Sequence, residues 1–254
     1  MKKYGLLGYP LGHSFSRDFF NRKFQDEKIN AEYVNFEIPD IRFAKEVILE
    51  NPELCGLNVT IPYKQLIIPY LNELSDEAKA IGAVNVIRIG RNGKKVHLKG
   101  FNSDVIGFVQ SIQPLLEPHH QKALILGCTG GASKAVRYGL ETKLNLEVKG
   151  VSRRPSESSI TYAEITPELL ENYTVIVNCT PSGMYPHVNE CPELPYEALT
   201  SRHLLYDLIY NPEETLFLQK GAQYGAKTKN GMEMLLLQAM ASWDIWNRTI
   251  LYKT

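Results

Sequence analysis

The run Leu57-Asn58-Val59-Thr60-Ile61-Pro62-Tyr63-Lys64 places two hydrogen-bonding side chains at alternate positions of a β-branched segment, and a lysine follows just past a proline. Residues i and i+2 of a strand share a face, so Asn58 and Thr60 can both hydrogen-bond one polyhydroxylated molecule, with Lys64 close by. The plain alternative is a strand end carrying a solvated lysine. Polar groups of the same character recur in Gly12-His13-Ser14-Phe15-Ser16, at Asn85 after Gly82-Ala83-Val84, and in Asn102-Ser103-Asp104. Ser14, Ser16 and Asp104 also stand where a helix N-cap belongs, so taken singly each has a purely structural explanation.

A second chemistry is written into Gly127-Cys128-Thr129-Gly130-Gly131-Ala132-Ser133, which follows the apolar run Ala123 to Leu126 and precedes a helix read from Lys134 to Thr142. Glycines there let the backbone approach a pyrophosphate, and a helix N-terminus offers it unpaired N–H groups and partial positive charge. Counted from Gly127, Thr129 falls where GxGxxG has its close-approach glycine, as if the turn carried one extra residue. The next strand ends at Val151 and leads into Ser152, Arg153 and Arg154, where a binder of NAD usually places an acidic residue on the ribose. Two guanidinium groups suit a 2′-phosphate instead, since they pair bidentately with phosphate and stack on adenine. A solvated basic loop is the alternative.

These residues need elements to hold them. Tyr4 to Leu7, Glu32 to Glu37 and Leu54 to Val59 read as strands alternating with helices at Phe15 to Lys28 and Arg42 to Asn51, which predicts a mainly parallel sheet covered by helices. From Ala83 to Phe101 the pattern becomes a hairpin around Gly90, Arg91, Asn92 and Gly93. A second α/β series follows, with strands at Ala123 to Leu126, Leu146 to Val151, Thr174 to Asn178 and Leu204 to Leu208, and a long helix from Gly231 to Asn247. The expected fold class is α/β with two domains. The first covers residues 1–104 and receives the C-terminal helix 232–254; the second covers 105–231; a ligand cleft is expected between them.

Composition narrows the partners. Over 254 residues the 28 Lys and Arg balance the 28 Asp and Glu, so no excess positive field exists to hold nucleic-acid phosphates. Glycines and Pro10 interrupt the basic and then apolar start before a signal-peptide core forms, and no apolar run approaches a membrane span. A soluble, cytoplasmic protein, a monomer or homodimer that meets a small molecule, is expected. Cys55, Cys128, Cys179 and Cys191 form no CxxC pair, and adjacent His119 and His120 lack the spacing of helical metal ligands, so neither a disulfide framework nor a metal site is expected.

Seven segments, in order, carry a resemblance: GYPLGHSFS (8–16), NVTIPYK (58–64), GAVNVI (82–87), FNSDVIGF (101–108), NCTPSGM (178–184), YDLIYNP (206–212) and NGMEMLLLQA (230–239). They span nearly the whole chain, which resembles the shikimate dehydrogenases. That resemblance implies an N-terminal substrate domain, a Rossmann-like dinucleotide domain, and reversible NADPH-dependent reduction of 3-dehydroshikimate to shikimate on the route to chorismate and the aromatic amino acids. It implies that Ser14 and Ser16 hold the substrate carboxylate, and that Asn58, Thr60, Lys64, Asn85, Asp104, Tyr210 and Gln238 contact the ring hydroxyls. Lys64 and Asp104 are the implied catalytic pair. Gly127, Gly130, Gly131, Ala132 and Ser133 match the phosphate turn, Ser152, Arg153 and Arg154 the 2′-phosphate loop, and Thr180, Met184 and Gly231 the nicotinamide lining. Three departures stand out: a longer glycine turn, Ser152 where the family commonly has asparagine, and Ser103 for a usual threonine.

Alcohol oxidation itself asks for such a pair, because a proton must leave oxygen as a hydride leaves carbon. A lowered pKa would let Lys64 accept that proton, yet a neighbouring carboxylate favours charged lysine, and the sequence leaves its starting state open. Two other readings stand: a quinate/shikimate dehydrogenase using NAD or NADP, and a non-catalytic ligand-binding or regulatory module on the same fold.

Overall fold

Helices and strands alternate along the computed structural model, which describes residues 1–12, 14–93, 95–154 and 159–247. The chain divides into two units: Met1–Ser103 together with the chain from Ala239 on, and Asp104–Gln238. His13 and residues 248–254 of the expected terminal helix lie outside the described residues.

The first unit runs β1 (Lys2–Gly8), α1 (Phe15–Asp26), β2 (Ala31–Glu37), α2 (Ala44–Glu50), β3 (Leu54–Val59), α3 (Tyr63–Leu66), β4 (Glu73–Leu74), α4 (Asp76–Ile81), β5 (Val86–Asn92) and β6 (Lys95–Phe101). Its six strands are ordered β2-β1-β3-β5-β6-β4. β1 lies parallel to β2 and β3, while β5 runs antiparallel to β3 and β6. The hairpin forms with Asn92 opposite Lys95 and Gly93 at φ 59°, a turn conformation that glycine adopts without strain. Because β3 and β5 run in opposite directions, Asn58 pairs with Val86 and so sits next to Asn85. Two polar residues 27 positions apart thereby reach one end of the sheet.

The second unit runs α5 (Asp104–Ile112), β7 (Lys122–Leu126), α6 (Gly131–Tyr138), β8 (Glu147–Val151), β9 (Ser159–Ile160), α7 (Pro167–Asn172), β10 (Val175–Asn178), β11 (Leu204–Asp207), α8 (Leu216–Gln223) and β12 (Lys227–Lys229). Its strands are ordered β12-β11-β10-β7-β8-β9, every neighbouring pair parallel. Counted by first appearance this is the 3-2-1-4-5-6 order of a doubly wound sheet, whose strand order reverses between β7 and β10. Both faces are covered, which explains the unbroken apolar runs. Leu124, Leu126 and Ile176 pack with Leu170 and Phe217 on one side, while Ala123, Ile125 and Val175 pack with Phe108 and Val136 on the other. Helix α6 starts at Gly131, three residues before the expected Lys134, because glycine's poor helix propensity matters little in a first turn that Gly130 caps in an extended conformation.

The final helix, α9 (Met232–Asn247), serves both units. Its Met234 joins the Phe108 side of the second core. Its Ala239, Ile245 and Trp246 close an aromatic face of the first unit with Tyr4, Phe20, Phe24 and Tyr33. Trp246 lies on Gly56 of β3, where an added Cβ would come 2.3 Å from the indole, and Trp246 Nε1 donates to Ile87 O at 3.1 Å. Gly56→Ala is therefore expected to push the ring off the sheet and cost roughly 1–3 kcal/mol by overpacking. Both tryptophans of the chain, Trp243 and Trp246, stand on α9, so tryptophan emission during urea unfolding reports this docking directly. An unchanged midpoint and emission maximum in Gly56→Ala would refute the packing argument. No helix among the described residues is long and apolar enough to cross a membrane.

Candidate active site

In the first unit the expected residues hang on a few well-anchored turns. Ser14 is buried and caps α1, accepting from Arg17 N at 3.2 Å, and Ser16 lies in the first turn of that helix. Asn21 clamps the Tyr33 backbone through both of its amide atoms, each bond 2.9 Å. Burial pushes the Tyr33 phenol well up, so it stays a proton donor, and it donates to Asn58 Oδ1 at 2.8 Å. Past β3, Thr60 donates to Leu7 O at 2.9 Å and its carbonyl accepts from Tyr63 N at 2.8 Å. That turns the chain into α3, the short helix carrying Lys64. Tyr63 Oη holds it by donating to Ile38 O at 2.6 Å, and Lys64 O accepts from Val84 N at 2.7 Å. Lys64 is half-buried on a backbone with little freedom.

Asn58, Asn85 and Ser103 are brought together in one buried network. Asn85 Nδ2 donates to Ser103 Oγ at 2.9 Å, and Ser103 N donates to Asn85 Oδ1 at 2.6 Å. Asn58 Nδ2 donates to Asn85 O at 3.3 Å and to Ser242 Oγ at 2.9 Å. Asp104 opens α5 in the second unit and is itself buried. Tyr210 and Gln238 belong to the same unit: burial raises the Tyr210 phenol, and Gln238 Nε2 donates to Leu235 O at 2.9 Å.

The dinucleotide candidates gather at the carboxyl ends of β7 and β10, where the strand order reverses. Gly127 has φ 77°, and a Cβ on it would lie 2.6 Å from Thr180 Cγ2, so both the turn and the neighbouring loop demand glycine. Gly130 differs. A Cβ there would meet nothing nearer than Ser133 Oγ at 3.9 Å, so no described residue requires its bare backbone, whereas a phosphate on the N–H groups of Gly131, Ala132 and Ser133 would. The glycine turn thus fits a dinucleotide despite its extra residue. Ser133 Oγ donates to Gly130 O at 2.8 Å and ties the turn to the helix. After β8, Ser152 N donates to Ile160 O at 2.9 Å and Ser152 Oγ accepts from Arg154 N at 3.2 Å, and Arg153 and Arg154 are exposed just after this held serine. Met184 is exposed in the loop after β10. Gly231 is forced by packing, since a Cβ would sit 2.1 Å from Leu208 O.

Behind this loop lies a relay that sequence reasoning passed over. Asn178 Oδ1 accepts from Thr180 N at 3.0 Å and Thr180 Oγ1 at 2.7 Å, and Asn178 Nδ2 donates to Asp207 Oδ1 at 3.0 Å. Asp207 also accepts from Ile209 N at 3.0 Å and Thr215 Oγ1 at 2.6 Å. Asn178 and Asp207 lie inside two of the recognisable segments, but spacing gave no hint that one carboxylate fixes the loop. Tyr33 and Ser242 carried no signal at all, being hydroxyls in apolar runs.

Burial raises the Asp207 carboxyl from 3.8 to about 6 against the pull of its three hydrogen bonds. Between those values the folded state holds a proton that the unfolded chain has released, so this contribution to stability falls as pH rises from about 4 to about 6. At about 1.4 kcal/mol per pKa unit the loss approaches about 3 kcal/mol. Relative to Asp207→Asn, which cannot titrate, the wild type is expected to lose that amount of unfolding free energy in urea between pH 4 and pH 7. A pH-independent difference would show that Asp207 is not perturbed.

The shikimate dehydrogenase substrate binding domain matches this chain over residues 6–87. A shikimate dehydrogenase (NADP(+)) of Desulforamulus reducens is 37% identical over 262 residues, covering 95% of this chain and 88% of the relative. Among solved structures, a chorismate mutase/shikimate 5-dehydrogenase fusion protein from Clostridium acetobutylicum is 36% identical, with a TM-score of 0.84 over 99% of this chain and 93% of that one. A shikimate dehydrogenase in complex with NADP+ is 31% identical, with a TM-score of 0.85 over 98% of this chain and 90% of that one. Similarity that runs through both units and nearly the full length of these relatives has one meaning: the chain belongs to the shikimate dehydrogenase family.

Proposed function

We propose that the protein catalyses the reversible NADPH-dependent reduction of 3-dehydroshikimate to shikimate. The observation that carries this is full-length similarity to relatives named shikimate dehydrogenase (NADP(+)), with both units included. Residues 1–103 with the end of α9 form the substrate unit and 104–238 the dinucleotide unit. NADP, when bound, supplies the site that accepts or donates hydride. The N–H groups of the Gly127 to Ser133 turn receive its pyrophosphate, Ser152, Arg153 and Arg154 receive the 2′-phosphate, and Thr180, Met184 and Gly231 border the nicotinamide.

On the substrate side Ser14 and Ser16 donate to the carboxylate. Asn58, Thr60, Asn85, Tyr210 and Gln238 hold the ring hydroxyls. Lys64 exchanges the proton of the reacting hydroxyl through Nζ, and Asp104 orients both lysine and substrate. The even charge balance suits a protein that serves a small molecule rather than a nucleic acid, and we read it as a cytoplasmic monomer or homodimer.

Absorbance at 340 nm with shikimate or quinate and NADP or NAD tests the reading. Rapid shikimate-dependent reduction of NADP is expected. Comparable rates with quinate and NAD would make the enzyme the broader quinate/shikimate type, and silence in all four mixtures would leave only a binding module.

A further inference from the structure

Building on that reading, the network around Asn58 assigns a task to a residue on the far side of the sequence. A backbone carbonyl only accepts hydrogen bonds, so the Asn58 atom 3.3 Å from Asn85 O is the amide nitrogen. Its second N–H goes to Ser242 Oγ at 2.9 Å. The amide oxygen is then the partner of the Tyr33 hydroxyl at 2.8 Å, and its second lone pair is what Asn58 has left for a ligand. Ser242 is fully buried on α9 and stands 184 positions from Asn58 in the chain. Its Oγ also lies 3.1 Å from Ser103 Oγ, the atom that receives the Asn85 amide. One hydroxyl thereby touches one expected substrate residue, Asn58, and the support of another, Asn85. Trp246, one turn further along α9 and seated on Gly56, sets the rotation of the helix that aims it.

We propose that Ser242 is a positioning residue: it holds the Asn58 amide so that only its oxygen is offered to the substrate, and this point on the ring must therefore carry a hydroxyl and never a carbonyl. A carbonyl placed there would set two acceptors face to face and leave both unpaired. The hydroxyl that Asn58 reads is thus one that survives in both substrate and product, and the carbon that changes oxidation state lies elsewhere on the ring. By fixing which hydroxyl is a spectator, Ser242 helps decide which one reacts.

The test is a double-mutant cycle on Ser242 and Asn58, read as kcat and KM for shikimate and KM for NADP. Ser242→Ala in the wild type is expected to lower kcat/KM for shikimate roughly tenfold, the value of one oriented hydrogen bond, through KM and with KM for NADP unchanged. In an Asn58→Ala background the same substitution should cost less than about twofold, because no amide remains to be oriented. Ser242→Thr, which keeps the hydroxyl, should recover most of the loss. Should Ser242→Ala fail to fold, Tyr33→Phe loosens the same amide from its oxygen side and is read in the same cycle. Equal losses in the two backgrounds, or a loss carried by kcat together with a raised KM for NADP, overturn the proposal. A wild type inactive on shikimate would instead sink the proposed function, so the two failures are distinct.

Discussion

Lys64→Ala is expected to lower kcat for shikimate oxidation by about two to four orders of magnitude, the range over which a positioned general base accelerates proton transfer, while NADP binding by fluorescence titration stays intact. Lys64 belongs to the first unit, and the glycine turn and Arg153 belong to the second, so the titration reads elements of the other unit. The backbone at Lys64 is held by Tyr63 and Val84, so truncation of the side chain should leave α3 in place. Lys64→Arg sharpens the result. Arginine keeps the charge but does not give up a proton in a protein, so it should be nearly as slow as alanine if Lys64 is the base. Near-normal turnover in Lys64→Ala would remove this residue from the mechanism. Full activity in Lys64→Arg would recast it as a fixed charge.

Arg153→Ala is expected to raise KM for NADP roughly ten- to a hundredfold, the worth of a hydrogen bond to a charged group, and to leave KM for NAD within about twofold. Ser152 is held by backbone and side-chain bonds that do not involve the Arg153 side chain, so residues 152–154 should keep their place without it. Only the 2′-phosphate distinguishes the two dinucleotides, which makes the ratio of the two Michaelis constants the quantity to read. Equal rises would mean that Arg153 serves the part common to both and would favour the enzyme of broader cofactor use.

Strands β7, β10 and β11 were legible because each is a largely apolar run of four or five residues in a doubly wound sheet, where no polar face interrupts the pattern, whereas β4 and β9, two residues each, and β12, Lys227–Lys229, gave no such signal. The hairpin announced itself through Asn92 and Gly93, and the phosphate turn through its place between a strand and a helix. What stayed hidden depends on the third dimension. Nothing local to Asn58 says that its amide is held by a serine 184 positions away, and nothing in the segment around Asp207 says that it meets Asn178 and Thr215. Gly231 shows the opposite hazard. Resemblance places it beside a cofactor, and the structure supplies a separate reason for it in the Leu208 carbonyl.

The first unit is assembled from two stretches of chain with all of Asp104–Gln238 between them. On the ribosome, β1, α1 and β2 therefore emerge long before the Trp246 that will cover Tyr4, Phe20 and Tyr33. At about 5–20 residues per second the intervening stretch takes on the order of ten seconds to synthesise. The inserted unit is contiguous and can complete its core first, while the amino-terminal sheet waits with an uncovered aromatic face. The order of synthesis thus runs against the order of assembly: the amino-terminal sheet gains its aromatic cover only once α9 has been made.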